Sequence, residues 1–124
     1  MKTIALVAHN EKKSVMLAWV KRHMDELKKS NLIGTTNTSE ILNSVLDLNV
    51  KSFGHGPNGG DIILAAQILE GKIDEVIFFI DAETPHGHEH DIQTLIRTCV
   101  INNVPLALNV ATADYLVKLN KGEI

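Results

Sequence analysis

Eight consecutive residues, Gly54-His55-Gly56-Pro57-Asn58-Gly59-Gly60-Asp61, hold four glycines and end on a carboxylate. Clustered glycine costs conformational entropy on folding and is kept where the backbone turns sharply or lies close to another group. The following residues, Ile62 to Gly71, read as a helix, which sets free N–H groups and a positive dipole end beside Asp61. A turn of this kind can hold an anion next to an acid or base. It can equally be a turn in which Asp61 caps the helix. Four other groups suit a phosphate: the Lys13 cation, the Thr35 and Thr36 hydroxyls and the Gly56 amide. Lysine at a helix start and threonine at a helix cap are the plainer readings of three of them. Asp61 and Asp91 can serve as base, positioning group or N-cap. His9 and His88, neutral near pH 7 unless shifted, can polarise a carbonyl or pass a proton. The run His86-Gly87-His88-Glu89-His90-Asp91 invites a metal, but its spacing specifies no fourth ligand and no cysteine accompanies it. No metal is expected.

The elements that must position these groups alternate. A continuous apolar run at Ile4–Ala8, and a strand candidate at Glu75–Ile80 that is apolar from Val76 onward, suit strands covered on both faces. Shorter strand candidates are Leu32–Ile33, Val50–Phe53 and Val104–Leu108. Helical spacing runs over Ser14–Leu27, Ser39–Leu48, Ile62–Leu69, Ile92–Asn102 and Thr112–Leu119, with Gly71 stopping the third of these. Strand and helix in strict alternation predict one α/β domain over residues 1–124. It is a three-layer α/β/α arrangement around a mainly parallel five-stranded sheet. Parallel sheets bind ligands beyond the carboxyl ends of their strands. His9 and Lys13, Thr35 and Thr36, Asp61, then Asp81, His88 and Asp91, and finally Asn109 follow the five strands in turn, so topology gathers them on one edge.

Composition narrows the classes. A chain of 124 residues with 44% apolar and 22% charged content is that of a soluble single domain. The net charge of −3, with one Tyr, one Trp and three Phe, argues against nucleic acid and anionic membrane as partners. Cys99 is the sole cysteine, which excludes an intrachain disulfide and suits a reducing, cytoplasmic setting. The apolar start is too short for a signal peptide, and no run reaches membrane-spanning length.

Taken in order, several segments resemble the methylglyoxal synthase family. They are Ile4-Ala5-Leu6-Val7-Ala8-His9 with Lys13, Gly34-Thr35-Thr36, and Gly56-Pro57-Asn58-Gly59-Gly60-Asp61. Gly71-Lys72-Ile73-Asp74, Phe78-Phe79-Ile80-Asp81, His88 with Asp91, Leu95-Ile96-Arg97 and Asn109-Val110-Ala111-Thr112-Ala113-Asp114 complete the set. The resemblance implies a flavodoxin-like sheet, a homohexamer, and conversion of dihydroxyacetone phosphate to methylglyoxal and inorganic phosphate without a cofactor. It implies Asp61 as the base and His88 as partner of the carbonyl and hydroxyl oxygens, with His9 and Asp91 in the same pocket. Lys13, Gly34, Thr35, Thr36 and Gly56 would bind the phosphate, with His55 where the family carries a phosphate-binding serine. A non-catalytic phosphometabolite-binding regulatory module, which the same fold also resembles, is the alternative.

Departures from the pattern bear on the phosphate end. Ile33 stands where the family usually has another threonine, and Asn37 replaces a glycine. Asp81-Ala82-Glu83 lacks the usual Asp-Pro. Ile124 comes before the segment in which the family carries an arginine directed at a neighbouring subunit. The expectation is a complete proton-abstraction set with a thinner phosphate set.

Overall fold

Five strands lie in one sheet of order β3-β2-β1-β4-β5, every neighbouring pair parallel. The computed structural model describes residues 1–54, 59–83 and 89–124, the side chains of 89–91 excepted. The strands are β1 (Thr3–Ala8), β2 (Asn31–Thr35), β3 (Lys51–Gly54), β4 (Glu75–Phe79) and β5 (Leu106–Ala107). The helices are α1 (Lys13–Arg22), α2 (Met24–Leu27), α3 (Thr36–Leu46), α4 (Gly60–Leu69), α5 (Glu89–Ile101) and α6 (Val110–Asn120). A 3₁₀ turn over Asn10–Lys12 precedes α1. Among the described residues, no helix is long and apolar enough to cross a membrane.

The two-residue period of the strands builds two cores. Ile4, Leu6 and Ala8 of β1, with Ile77 and Phe79 of β4, face one side and pack with Met16, Trp19 and Val20 of α1, Leu42 of α3 and Val117 of α6. Ala5, Val76 and Phe78 face the other side, against Leu64 and Ile68 of α4 and Leu95 and Cys99 of α5. This is the expected three-layer parallel architecture. The order 3-2-1-4-5 is that of the doubly wound dinucleotide-binding folds rather than flavodoxin's own 2-1-3-4-5. It puts the reversal of winding between β1 and β4.

Several boundaries differ from the sequence expectation, each for a local reason. The helix expected over Ser14–Leu27 is broken at His23, whose N–H is shared between the Trp19 and Val20 carbonyls at 3.2 Å each. Its ring is held by Asp114 of α6, Nε2 to Oδ1 2.9 Å, so a tertiary contact overrides helical spacing. The helix expected from Ser39 starts three residues earlier, at Thr36, with Thr35 extended before it. It ends at Asp47 in the left-handed region (φ 54°). The last strand shortens to Leu106–Ala107. Asn109 then caps α6 by accepting from the Thr112 N–H at 2.9 Å, so it serves the helix rather than a ligand.

Candidate active site at the carboxyl ends of the strands

The ends of β1 and β4 are stitched together at the winding reversal. The His9 N–H donates to the Phe79 carbonyl (3.2 Å), and the Asp81 N–H donates to His9 Nδ1 (2.8 Å). A ring nitrogen that accepts from a backbone N–H carries no proton, so His9 is the neutral tautomer with its hydrogen on Nε2. Phe78 meets the imidazole edge-on, at 5.1 Å between centroids and 83° between planes, which fixes its orientation. Asp81 is buried, and its Oδ1 accepts from the Glu83 N–H (3.1 Å) in an Asx turn.

Lys13 opens α1, and its Nζ donates to the Ala8 carbonyl at 2.9 Å and to Thr38 Oγ1 at 3.3 Å. Met16, Thr38, Ile41 and Leu42 surround it, and burial pushes its pKa below the ordinary 10.5. It has no carboxylate partner among the described residues. A half-buried ammonium with no counter-ion among the described residues, and one N–H left over, has the chemistry to accept an anion.

Thr35 ends β2 and occupies the N-cap position of α3, yet makes no side-chain capping bond. Its hydroxyl donates instead to Thr38 Oγ1 at 3.1 Å. Thr36 Oγ1 lies 2.9 Å from Ser52 Oγ of β3, which also accepts from the Gly54 N–H at 3.3 Å. Gly34 sits inside β2 where a Cβ would come within 2.9 Å of the Leu6 carbonyl oxygen and 3.0 Å of Ser39 Oγ. Its place brings α3 close against the sheet. Ile33, on the opposite face of the strand, packs into the α4/α5 core. Asn37 is exposed in the first turn of α3.

At the glycine turn, Gly54 (φ 137°) and Gly59 (φ 95°) hold conformations that side chains rarely adopt. Gly54 also lies against α4, where a Cβ would meet the tip of Ile63 at 3.0 Å. Gly59 is the N-cap of α4, so Asp61 is the second helical residue and not the cap. It is half-exposed and makes no hydrogen bond or ion pair among the described residues, which leaves its carboxylate available. His55, Gly56 and His88 lie outside the described residues. The backbone of Asp91 falls in the first turn of α5. Among the described residues no three His, Cys, Asp or Glu side chains cluster as a metal site, and His86–Asp91 lies outside that set. Cys99 is buried in the α4/α5 core, which pushes its thiol up to about 11 and makes it an inert core residue.

Sequence reasoning missed Thr38 and Ser52. Thr38 is three residues after Thr35, the spacing that places both on one face of a helical turn. The expected helix start at Ser39 concealed that relation. Ser52 depends on the pairing of β2 with β3, for which the sequence carried no signal.

Comparison with known proteins shows which family the chain is similar to. A family model described as an MGS-like domain matches residues 15–108. The methylglyoxal synthase of Pseudoalteromonas atlantica is 44% identical over 116 residues, 94% of this chain and 86% of that protein. The one from Leptospira interrogans is 42% identical over 117 residues, covering 94% and 79%. The crystal structure of methylglyoxal synthase from Elizabethkingia anophelis NUHP1 superposes with a TM-score of 0.89 at 43% identity, covering 94% of this chain and 76% of that one.

Proposed function

The chain belongs to the methylglyoxal synthase family, and from that premise we propose how its residues turn dihydroxyacetone phosphate into methylglyoxal and inorganic phosphate. It is an enzyme, a carbon–oxygen lyase. Asp61 takes a proton from the hydroxymethyl carbon beside the carbonyl. The electron pair left behind forms the C=C bond of an enediolate, whose charge settles on the former carbonyl oxygen. His88 and the Nε2–H of His9 donate to the oxygens where that charge develops. Asp91 orients substrate or supports the histidines. The enediolate then collapses: its hydroxyl loses a proton that leaves on the phosphate, the carbon that bore it becomes the aldehyde carbonyl, and the C=C pair shifts to the neighbouring carbon as the C–O bond to phosphate breaks. The enolate that remains takes a proton on its CH2 carbon to become methylglyoxal. Expulsion of phosphate wins over simple reprotonation when the C–O(P) bond stands perpendicular to the enediolate plane. Holding it there is the task of Lys13, Gly34, Thr35, Thr36, His55 and Gly56. No cofactor or metal enters this scheme. We further propose that the protein works in the cytoplasm as a homo-oligomer, a hexamer, with no nucleic acid or membrane as partner.

One observation carries the reading. A carboxylate with no partner among the described residues, Asp61, begins a helix on the same sheet edge that holds an ammonium with no counter-ion among them, Lys13, and three threonine hydroxyls. Anion binding alone needs no free carboxylate there. The test is to incubate the protein with dihydroxyacetone phosphate and measure methylglyoxal and phosphate together, which should appear in equal amounts. Asp61→Asn should still bind inorganic phosphate while kcat falls by about 10²- to 10⁴-fold, the usual contribution of a positioned base. Wild-type protein that binds phosphate but releases no methylglyoxal would establish the regulatory module instead.

A further inference from the structure

We propose that Thr38 is a positioning residue for the phosphate end of the site, a hydroxyl relay that couples the Lys13 ammonium to the Thr35 hydroxyl and turns Thr35 into a donor when an anion arrives. The inference rests on the assignment of Lys13 and Thr35 to phosphate. Thr38 is 2% exposed and lies behind both groups, so it acts through them rather than on the ligand. Its Oγ1 accepts from Lys13 Nζ at 3.3 Å and from the Thr35 hydroxyl at 3.1 Å.

A hydroxyl has one proton to donate and two lone pairs to accept with. In the structure, both lone pairs of Thr38 are used, and its own proton has no acceptor among the described residues. The single proton of Thr35 points inward to Thr38, so Thr35 offers only lone pairs to an approaching anion, which they repel. Rotating the two hydroxyls removes both faults at once. Lys13 still donates to Thr38, Thr38 donates to Thr35, and Thr35 donates to a phosphate oxygen. Every proton in the chain is then used and every bond points towards the negative charge. Such a chain is polarised by the ammonium at its head, so its links strengthen one another. The hydroxyl hydrogens reorient freely, and because the bond runs from Thr35 to Thr38 in the structure, its reversal also asks for a small turn of the Thr38 side chain.

The relay also bears on the hydroxyl positions that Ile33 and His55 leave unfilled in this sequence. Thr38 adds a hydroxyl to the same end of the site from beneath, on the first turn of α3, where the early helix start places it on the face of Thr35.

The probe is inorganic phosphate, its dissociation constant measured by titration calorimetry on the intact protein. Thr38→Val, which keeps the shape and removes the hydroxyl, should weaken phosphate about 5- to 15-fold, the scale of one lost net hydrogen bond that feeds a charged ligand. Thr38→Ser should return the affinity to within about twofold. Placed in a Lys13→Met background, Thr38→Val should lose most of its effect, because the head of the chain is already gone. A purely structural role would leave the Val effect equal in both backgrounds and would not depend on the Ser hydroxyl. Should Thr38→Val fail to fold, Thr38→Cys, a weak donor of similar size, carries the same expectation. Thr38→Val with wild-type affinity beside a weakened Lys13→Met overturns the relay alone. Wild-type affinity in Lys13→Met overturns the phosphate assignment beneath it.

Discussion

Replacing Lys13 with methionine separates what this side chain does for the ligand from what it does for the fold. Two of its three ammonium N–H groups are spent on the Ala8 carbonyl and Thr38 Oγ1, leaving one for the phosphate that the proposed function assigns to it. Loss of one charge-assisted hydrogen bond is worth about 1.5–3 kcal/mol. At about 1.4 kcal/mol per tenfold, KM for dihydroxyacetone phosphate should rise about 10- to 150-fold. Partial exposure of the side chain favours the lower end of that range. The proposed base, Asp61, is untouched and the other phosphate groups still orient the C–O(P) bond, so kcat should fall less than KM rises. Stability should respond differently. The ammonium is disfavoured by burial, as its lowered pKa indicates, and Met16, Ile41 and Leu42 would receive a thioether readily. Against that relief stand two lost bonds of about 1 kcal/mol each. The net change should stay within about 1 kcal/mol, or about 4 °C in Tm at the entropy of unfolding usual for 124 residues.

The pH dependence of the wild type follows from the same group. Because burial favours the neutral amine, the folded pKa lies below the unfolded one. The folded state is therefore penalised at pH values below the folded pKa, and the penalty fades as pH rises from there towards 10.5. Phosphate affinity runs the other way. It needs the ammonium, so it should decline as pH passes the lowered pKa, before 10.5, and Lys13→Met should lack this limb. Steady-state assay of methylglyoxal formation with a thermal melt decides the matter. A KM within twofold of wild type together with a Tm more than about 10 °C lower would show Lys13 to be a structural pin, and the reasoning would fail.

Gly34→Ala should destabilise the protein by about 1–3 kcal/mol, because the new methyl meets the Leu6 backbone oxygen at 2.9 Å and neither strand can yield easily. Urea unfolding measures it, and an unchanged midpoint would mean that β1 and β2 part at little cost. Asp114→Ala should cost about 1–3 kcal/mol by leaving the Nε1–H of the fully buried Trp19 without its acceptor at 2.9 Å. Asp114→Asn, whose carbonyl oxygen can still accept, should recover most of it in the same denaturation experiment, with kcat within about threefold of wild type because no proposed site residue touches this cluster.

Much of this molecule was legible in the chain because its signals are local. Ile4–Ala8 and Val76–Ile80 are apolar throughout, as a strand buried on both faces must be, and the helices between strands show their apolar sides. Strand existence survived; the ends did not, since Thr35 and Asn109 end up where caps and neighbours place them. Asp114 illustrates the limit. In the sequence it is only the last residue of a resembling segment, Asn109–Asp114, whereas in the fold it clasps Trp19, His23 and Arg22 of the first helical segment.

What the sequence by itself determined was the alternation, and with it the gathering of His9, Lys13, Thr35, Thr36 and Asp61 on one edge. Parallel strands joined by helices must all end on the same side, so order along the chain becomes proximity in space. What only the tertiary structure decided was how those groups are wired. The Thr36–Ser52, Lys13–Thr38, His9–Asp81 and Trp19–Asp114 contacts join residues 16, 25, 72 and 95 positions apart. Each depends on strand register and on which helix a crossover lays beside which strand. Hydrogen bonds need their atoms within a few tenths of an ångström, and periodicity along a chain does not carry that precision across it.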